Sequence, residues 1–298
     1  MSTRRVVVVG YGRVGQAAVE AVLEAPDMVL AGVIRRDPTQ RGELPPHIPV
    51  VAEVAQLGKV DGALLCVPTR QVPEVAERYL RAGIHTVDSY DIHGELVHLR
   101  ERLGRIATEH GAVAIISAGW DPGTNSMVRA LMELMAPRGI TYINYGPGMS
   151  MGHSVVVRQV PGVRDGLAIT IPAGQGTHRR MVYVELEPGA DLEAVRQAIV
   201  EDPYFRNDET RVIQVPSVQD LVDMGHGVRI ERKGVSGRTH NQQFVYDIRI
   251  NNPALTAQIM VSALRASFKQ PPGAYTLLEV PLIDFLPGDP EENLRRLV

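Results

Sequence analysis

The chain has one cysteine, one tryptophan and four phenylalanines in 298 residues. A lone cysteine, Cys66, excludes an internal disulfide, and its apolar strand-like surroundings read as core. Basic residues are not in excess: the formal charge is -3, which gives no electrostatic footprint for nucleic acid. No apolar run is long enough to span a bilayer. A strand pattern starts almost at the N-terminus, leaving no room for a signal peptide, so a cytoplasmic protein is expected. No Cys/His spacing suits a metal, and there is no internal repeat or low-complexity segment. Such a chain has the length of roughly two ordinary domains.

What is present begins with Gly10-Tyr11-Gly12-Arg13-Val14-Gly15. A β-branched run, 6–9, leads into it and a helical pattern, 14–25, leaves it. This is the glycine turn between a buried parallel strand and a helix, the dinucleotide-binding fingerprint. Gly10 allows the tight turn, Gly12 lets a pyrophosphate approach the backbone, and Gly15 lets helix and strand pack closely. The helix N-terminus then offers amide donors and partial positive charge to the phosphates. A second apolar strand, 28–34, ends in Arg35-Arg36 where an NAD site usually carries a carboxylate. A guanidinium pairs with a 2′-phosphate, so the expected cofactor is NADP. The alternative is a solvated arginine, with Asp37 as a ribose ligand.

Strands and helices then alternate. After a proline-rich loop at 38–49 come a strand at 61–67, a helix at 71–82, a strand at 84–88, a helix at 94–110 and a strand at 112–117. The strand ends deliver Cys66-Val67-Pro68-Thr69, then Ser89-Tyr90-Asp91, then Trp120-Asp121 to the carboxyl edge, where such sheets hold ligands. The first six of these are expected to contact the cofactor. A helix at 124–135 follows. Strands are then expected at 140–145, 154–160, 168–171, 181–187, 228–233 and 243–250, with a short helix at 192–200 and a Gly/Ser-rich turn at 234–238. A helix at 253–268 and an extended tail at 277–286 close the chain. The expected fold class is α/β: a Rossmann doubly wound parallel sheet with a second α+β domain on a mostly antiparallel sheet. The expected division is a dinucleotide-binding domain at 1–122, completed by 253–298, and a substrate-binding and oligomerisation domain at 123–252.

Asp91 and Asp121 would both lie near the nicotinamide and attract a cationic group such as an ammonium. Helix capping is the competing reading for each. Trp120, in a glycine-flanked loop, suits a substrate wall. His153, the His178-Arg179-Arg180 run, His226 and Asn251-Asn252 are polar points whose plain reading is a solvated face or a cap. The residues alone define an NADP-linked enzyme or sensor with a cleft suited to a zwitterion.

The sequence closely resembles the meso-diaminopimelate dehydrogenase family nearly end to end. The resemblance rests on GYGRVG at 10–15, CVPTR at 66–70, HTVDSYDIHG at 85–94, SAGWDPGTNS at 117–126 and GPGMSMGHS at 146–154. It continues through HRRMVYVELEPGAD at 178–191, DMGHGV at 223–228, KGVSG at 233–237 and NNPALTAQ at 251–258. It implies reversible, NADP-dependent oxidative deamination of the D-centre of meso-2,6-diaminopimelate, giving L-2-amino-6-oxopimelate, its cyclic form tetrahydrodipicolinate, and ammonia. By motif match, Asp91, Trp120 and Asp121 would surround the reacting centre. Met151 and Gly152 would line the middle of the site, and Thr170, Arg180, His226 and Asn252 would hold the distal L-centre. Tyr145 stands where the family often has Phe. The short length and the GMSMGHS segment resemble the thermophile-type branch, which also aminates 2-keto acids to D-amino acids. A homodimer or larger homo-oligomer is implied. The rival readings are another reductase of the same plan, such as a dihydrodipicolinate reductase, and a non-catalytic NADP-sensing regulator.

Overall fold

The structure is a computed structural model that describes residues 3–222 and 225–298. Asp223 and Met224, which open the DMGHGV stretch, lie outside the described residues. Two compact units divide the chain: residues up to Met127 together with Pro253–Val298, and Val128–Asn252.

The first unit opens with β1 (Arg4–Val9), α1 (Arg13–Leu23), β2 (Met28–Ile34), β3 (Val50–Val51), β4 (Gly62–Leu65), α2 (Val72–Arg81), β5 (His85–Asp88), α3 (Leu96–Glu109) and β6 (Val113–Ile115). β1 is a run of valines buried from Val6 to Val9, as a central parallel strand covered on both faces requires. Gly83 and Gly111 adopt left-handed backbone just after α2 and α3, the stop a helix C-terminus favours. A 3-10 turn, His93–Glu95, precedes α3, so the expected helix at 94–110 begins two residues late. α4 (Thr124–Met135) crosses into the second unit within its first turns.

The second unit contains β7 (Arg138–Tyr145), β8 (Gly148–Ser150), α5 (Met151–Arg158), β9 (Val163–Gly174), β10 (Thr177–Leu186), α6 (Leu192–Glu201), β11 (Glu209–Gln214), β12 (Gly225–Ser236) and β13 (Thr239–Asn251). Its described strands make a four-stranded sheet, β11-β10-β9-β8, and a three-stranded sheet, β13-β12-β7. All pairs are antiparallel except β10 with β11. Val156 and Val157 of α5, Val182 and Val184 of β10 and Phe205 form its main core.

The strand expected at 154–160 is instead the helix α5. Its valines read as a strand, but Val156 and Val157 are buried in the core shared with β9 and β10. Ser154 Oγ donates to Ser150 O at 2.6 Å and accepts from Ala168 N at 3.0 Å, which pins the helix to β9. Packing here overrides β-propensity. β12 also runs straight through the expected Gly/Ser turn as far as Ser236.

The chain returns to the first unit through α7 (Asn252–Ser267), β14 (Gly273–Tyr275) and α8 (Pro290–Leu297). β14 completes an all-parallel sheet of order β14-β6-β5-β4-β1-β2-β3. Order reverses between β1 and β4, the switch point at which doubly wound sheets bind ligands. α7 packs so closely that a Cβ on Gly62 would lie 2.7 Å from Leu264. Arg265 forks onto Asp27 at 2.5 and 2.7 Å. The tail expected to be extended at 277–286 holds two 3-10 turns, Leu277–Glu279 and Leu282–Phe285, and α8 follows it.

Candidate active site

At the switch point the three glycines divide their work. A Cβ on Gly10 (φ +91°) would lie 2.4 Å from the Cys66 carbonyl oxygen, and one on Gly15 would lie 2.3 Å from the Gly10 oxygen. Both are needed for β1, α1 and β4 to meet. A Cβ on Gly12 would meet nothing within 4 Å, and no side chain caps α1 there. That open space in front of a helix N-terminus is a place for phosphate.

A cavity of about 780 Å³ opens from this turn. Gly10, Tyr11, Gly12, Arg35, Arg36, Cys66, Val67 and Pro68 line it. Arg35 stands 5.6 Å over the Tyr11 ring and bonds the Gln40 carbonyl. Arg36 Nη2 donates to Gln71 Oε1 at 3.0 Å. Asp37, the alternative ribose ligand, is folded into its own turn, accepting from Thr39 N and Gln40 Nε2 at 3.0 Å each. Those bonds, led by Thr39, hold its carboxyl below the usual range. Cys66 is an inert thiol, pushed up to about 12 by burial. The cavity is a cradle for a dinucleotide with cations at its ribose end, and the residues present fit NADP.

Sequence reasoning missed part of this wall. Gln71, Glu74, Val75 and Arg78 also line the cavity. Their spacing is one helical stripe, a signal present in the sequence of the expected helix at 71–82 but not used there. Among the described residues, Arg13, Val14, Gly15, Thr69, Ser89 and Tyr90 do not line it. Gly15 acts through packing, because the helix side of the turn has no room for a ligand at that point. Tyr90 is buried, with its hydroxyl donating to Glu95 at 2.9 Å, and burial followed by Glu95 raises its pKa. Thr69 Oγ1 accepts from Asp91 N at 3.2 Å, so it supports the neighbouring strand-end loop.

The carboxyl ends of β5 and β6 carry the other candidates. Asp91 follows β5; Ile92 is the residue before the 3-10 turn His93–Glu95, and Glu95 is the residue before α3. Trp120 is buried and Asp121 half-buried in a tight loop, where Gly119 N bonds Pro122 O at 3.2 Å. The Asp121–Pro122 peptide is cis. Asn125 N donates to the Trp120 carbonyl at 2.9 Å, and Asn125 Nδ2 to Asp121 Oδ1 at 3.4 Å. Beneath both loops lies Asp88, fully buried. Its Oδ1 accepts from Tyr90 N at 2.9 Å and Ser117 N at 3.0 Å. Burial pushes its carboxyl up to about 6.

The second unit gathers a polar cluster of its own. Thr170 on β9 lies opposite Arg180 on β10 and Gly148 on β8. Arg180 bonds Thr170 Oγ1, and its Nε donates to Asp208 Oδ2 at 2.7 Å. Tyr145, the last residue of β7, donates its backbone N–H to His178 Nε2 at 2.8 Å. Burial, and then Arg180, keep His178 below its ordinary pKa, and so neutral. A Cβ on Gly146 would lie 2.4 Å from the Thr170 carbonyl, which shows how closely the two sheets meet here. His226 is buried on β12 and accepts from Gly227 N at 2.8 Å through Nδ1. A Cβ on Gly148 would lie 2.7 Å from the His226 Cα. Met151 and Gly152 open α5, and Met151 packs on Met149 and Leu167. Asn252 is buried at the start of α7. His153 is a half-buried ring held between Ser150 Oγ at 2.7 Å and Tyr204 O at 2.9 Å. Burial pushes it down to about 3. Asp208 was not legible in advance: it lies in the loop before β11, far along the chain from the arginine it holds.

The fold and site define a class: an oxidoreductase with a Rossmann dinucleotide unit and a separate unit of largely antiparallel sheet. Residues 4–88 match the family described as oxidoreductase family, NAD-binding Rossmann fold. Residues 119–252 match the diaminopimelic acid dehydrogenase C-terminal domain. The chain is 56% identical to the meso-diaminopimelate D-dehydrogenase of Bacteroides fragilis, with 100% of each chain covered. Its structure matches that of the C. glutamicum DAP dehydrogenase in complex with DAP, with TM-score 0.90, 29% identity and 100% of both chains covered. It matches an engineered D-amino acid dehydrogenase bound to NADP+ equally well, with TM-score 0.90, 28% identity and 100% of both chains covered. The chain belongs to the meso-diaminopimelate D-dehydrogenase family.

Proposed function

We propose that this chain carries out the reversible, NADP-dependent oxidative deamination of the D-centre of meso-2,6-diaminopimelate, releasing ammonia and the 6-oxo acid that cyclises to tetrahydrodipicolinate. The observation that carries this reading is a cavity closed by Arg35 and Arg36 in the same unit that brings Asp91 and Asp121 to neighbouring strand ends. When bound, NADP+ accepts the hydride that leaves the D-carbon. Arg35 and Arg36 supply the positive charge a 2′-phosphate requires. Gly12 leaves room for the pyrophosphate.

The substrate amine arrives as an ammonium and must lose a proton before its lone pair can drive hydride loss. Asp91 or Asp121 accepts that proton, directly or through water. Trp120 walls the reacting centre and excludes water while the imine forms. Water then adds to the imine carbon, and ammonia departs. In the second unit, Thr170, Arg180, His226 and Asn252 hold the distal L-centre and its carboxylate, and Tyr145, Met151 and Gly152 line the stretch between the two centres. Small D-amino acids need only the residues at the reacting end, which makes them secondary substrates.

We further propose that the second unit, 123–252 in the sequence division, both binds substrate and forms the subunit contact of a homodimer or larger assembly. Leu134 is 78% exposed, and Leu131, Met135, Ile140 and Tyr142 are exposed in the same unit. Exposed apolar side chains on neighbouring stretches of chain, α4 and β7, suit a protein contact. Light scattering on the eluting protein should give at least twice the chain mass; a monomer would refute it. We propose a cytoplasmic enzyme, since its lone cysteine can form no internal disulfide. The activity test is absorbance at 340 nm with NADP+ and meso-diaminopimelate. NADPH should accumulate, and a folded protein that forms none would overturn the reading.

A further inference from the structure

We propose that Asp88 is the positioning residue that sets the two candidate catalytic loops against each other. One carboxylate oxygen accepts the amide of Tyr90, next to Asp91, and the amide of Ser117, three residues before Trp120. The proposal rests on the functional reading above, which gives Asp91, Trp120 and Asp121 their roles.

The ladder between β5 and β6 explains why a side chain is needed. The two strands pair at Thr86 with Ala114 and at Val87 with Ile115, and there the pairing ends. Past that point both chains turn outward to present their loops, and the ladder gives way to bonds made by Asp88, one through its backbone carbonyl and two through its side chain. Its carbonyl accepts from Ala118 N at 2.7 Å, and its side chain reaches Ser117 N and doubles back to Tyr90 N. Ser117 has φ +55°, a left-handed conformation that a non-glycine residue adopts only when something holds it. The bond from its amide to Asp88 is such a restraint.

A space-filling role does not account for the residue. Asp88 is fully buried among apolar strands, and among the described residues its Oδ2 has no hydrogen-bond partner. A buried carboxyl with one oxygen unpaired costs stability. What the carboxyl provides is an acceptor shared by two loops. A misplacement of about 1 Å in a reacting group costs about a hundredfold in rate, so a shared acceptor at the base of both loops bears directly on turnover.

The test uses Asp88→Ala and Asp88→Asn in the full chain. Alanine removes the acceptor; asparagine keeps an amide oxygen in the same place. Asp88→Ala should lower kcat with meso-diaminopimelate about a hundredfold while the KM for NADP+ stays within about twofold, and Asp88→Asn should recover all but about tenfold of that kcat. Hydrogen exchange at 89–91 and 117–121 should quicken in Asp88→Ala and return toward the wild-type rate in Asp88→Asn. Three results would each refute the role: kcat for Asp88→Ala within about twofold of wild type, Asp88→Asn as slow as Asp88→Ala, or exchange unaltered in both. If Asp88→Ala does not fold, Asp88→Asn decides alone, and a loss beyond about tenfold refutes the role. Exchange needs no turnover. A wild-type chain inactive on meso-diaminopimelate would therefore sink the functional reading, while the exchange result would still decide the tether.

Discussion

Arg180 donates through Nε to Asp208 at 2.7 Å while its Nη1 bonds Thr170. Its side chain is only 11% exposed, so the cation proposed to hold the distal carboxylate is already oriented before any substrate arrives. Arg180→Ala should raise the KM for meso-diaminopimelate on the order of a hundredfold, matching a charge-assisted contact of about 2–3 kcal/mol. Turnover of D-alanine, which has no distal carboxylate, should change less than about threefold. Equal loss on both substrates would remove Arg180 from the distal site. Asp208→Asn should produce a weaker version of the same selective KM effect, because the fork keeps its charge and loses its anchor.

The paired arginines at the end of β2 predict a cofactor switch. Arg35→Asp with Arg36→Asp places two carboxylates where a 2′-phosphate is expected. The KM for NADP+ should rise by about a hundredfold or more, and that for NAD+ should fall or hold. A KM comparison with both cofactors checks it; an unaltered preference for NADP+ would defeat the assignment.

The glycine turn predicts two different failures from the same substitution. Gly12→Ala adds a methyl where no atom lies within 4 Å, so thermal stability should hold while the Kd for NADP+ rises. Gly15→Ala drives a methyl to 2.3 Å from the Gly10 carbonyl, so the strand and helix must separate. Stability should fall by about 1–3 kcal/mol, as for other overpacked sites, with cofactor affinity falling alongside it. Thermal unfolding and fluorescence titration of the pair separate these outcomes. Identical effects of the two substitutions would contradict the division of roles.

Two groups held away from water, Asp88 and His153, give stability opposite slopes with pH. Asp88 is raised from 3.8 to about 6, so between those values the folded chain holds a proton that the unfolded chain has lost. Stability from this group therefore falls as pH rises through that window, by at most about 3 kcal/mol. His153 is lowered from 6.5 to about 3, so in its window the unfolded chain holds the extra proton. Its contribution is lost as pH falls. Asp88→Asn should thus gain stability relative to wild type as pH is raised from about 4 to 7, and His153→Leu should lose its disadvantage as pH is lowered over the same range. Denaturant melts at several pH values measure both; parallel curves for wild type and Asp88→Asn would mean that Asp88 titrates normally.

Much of the fold was legible because its signals are local. The β2 and α4 patterns end at Ile34 and Met135, where the strand and helix themselves end. The glycine turn is a contiguous stretch between a strand and a helix, so its chemistry survives in one dimension. What was lost depends on distance along the chain. α5 reads as a strand because its three consecutive valines outweigh the packing on β9 that makes it helical. β3, β8 and β14 are two or three residues long, too short to show a period. α8 was overlooked despite a clear local signature: Asp289 accepts from Glu291 N and Glu292 N at 2.9 and 3.1 Å, and Pro290 opens the helix. In the site, Asp208 and Asp88 escaped notice for another reason. Asp208 holds an arginine brought close only by folding, and Asp88, though inside the HTVDSYDIHG stretch, bonds Ser117 far along the chain.

Because β14 seals the outer side of β6, the first unit cannot be finished from the first part of the chain alone. A ribosome making this protein releases β1 through β6, then all of the second unit, and only near termination the segment that closes the sheet. Until then β6 presents an unzipped margin of backbone donors and acceptors, a surface to which another nascent chain could anneal. Arrest of synthesis near the last codon, with 253–298 still inside the exit tunnel, should therefore yield a second unit already resistant to protease and a first unit still open to cleavage.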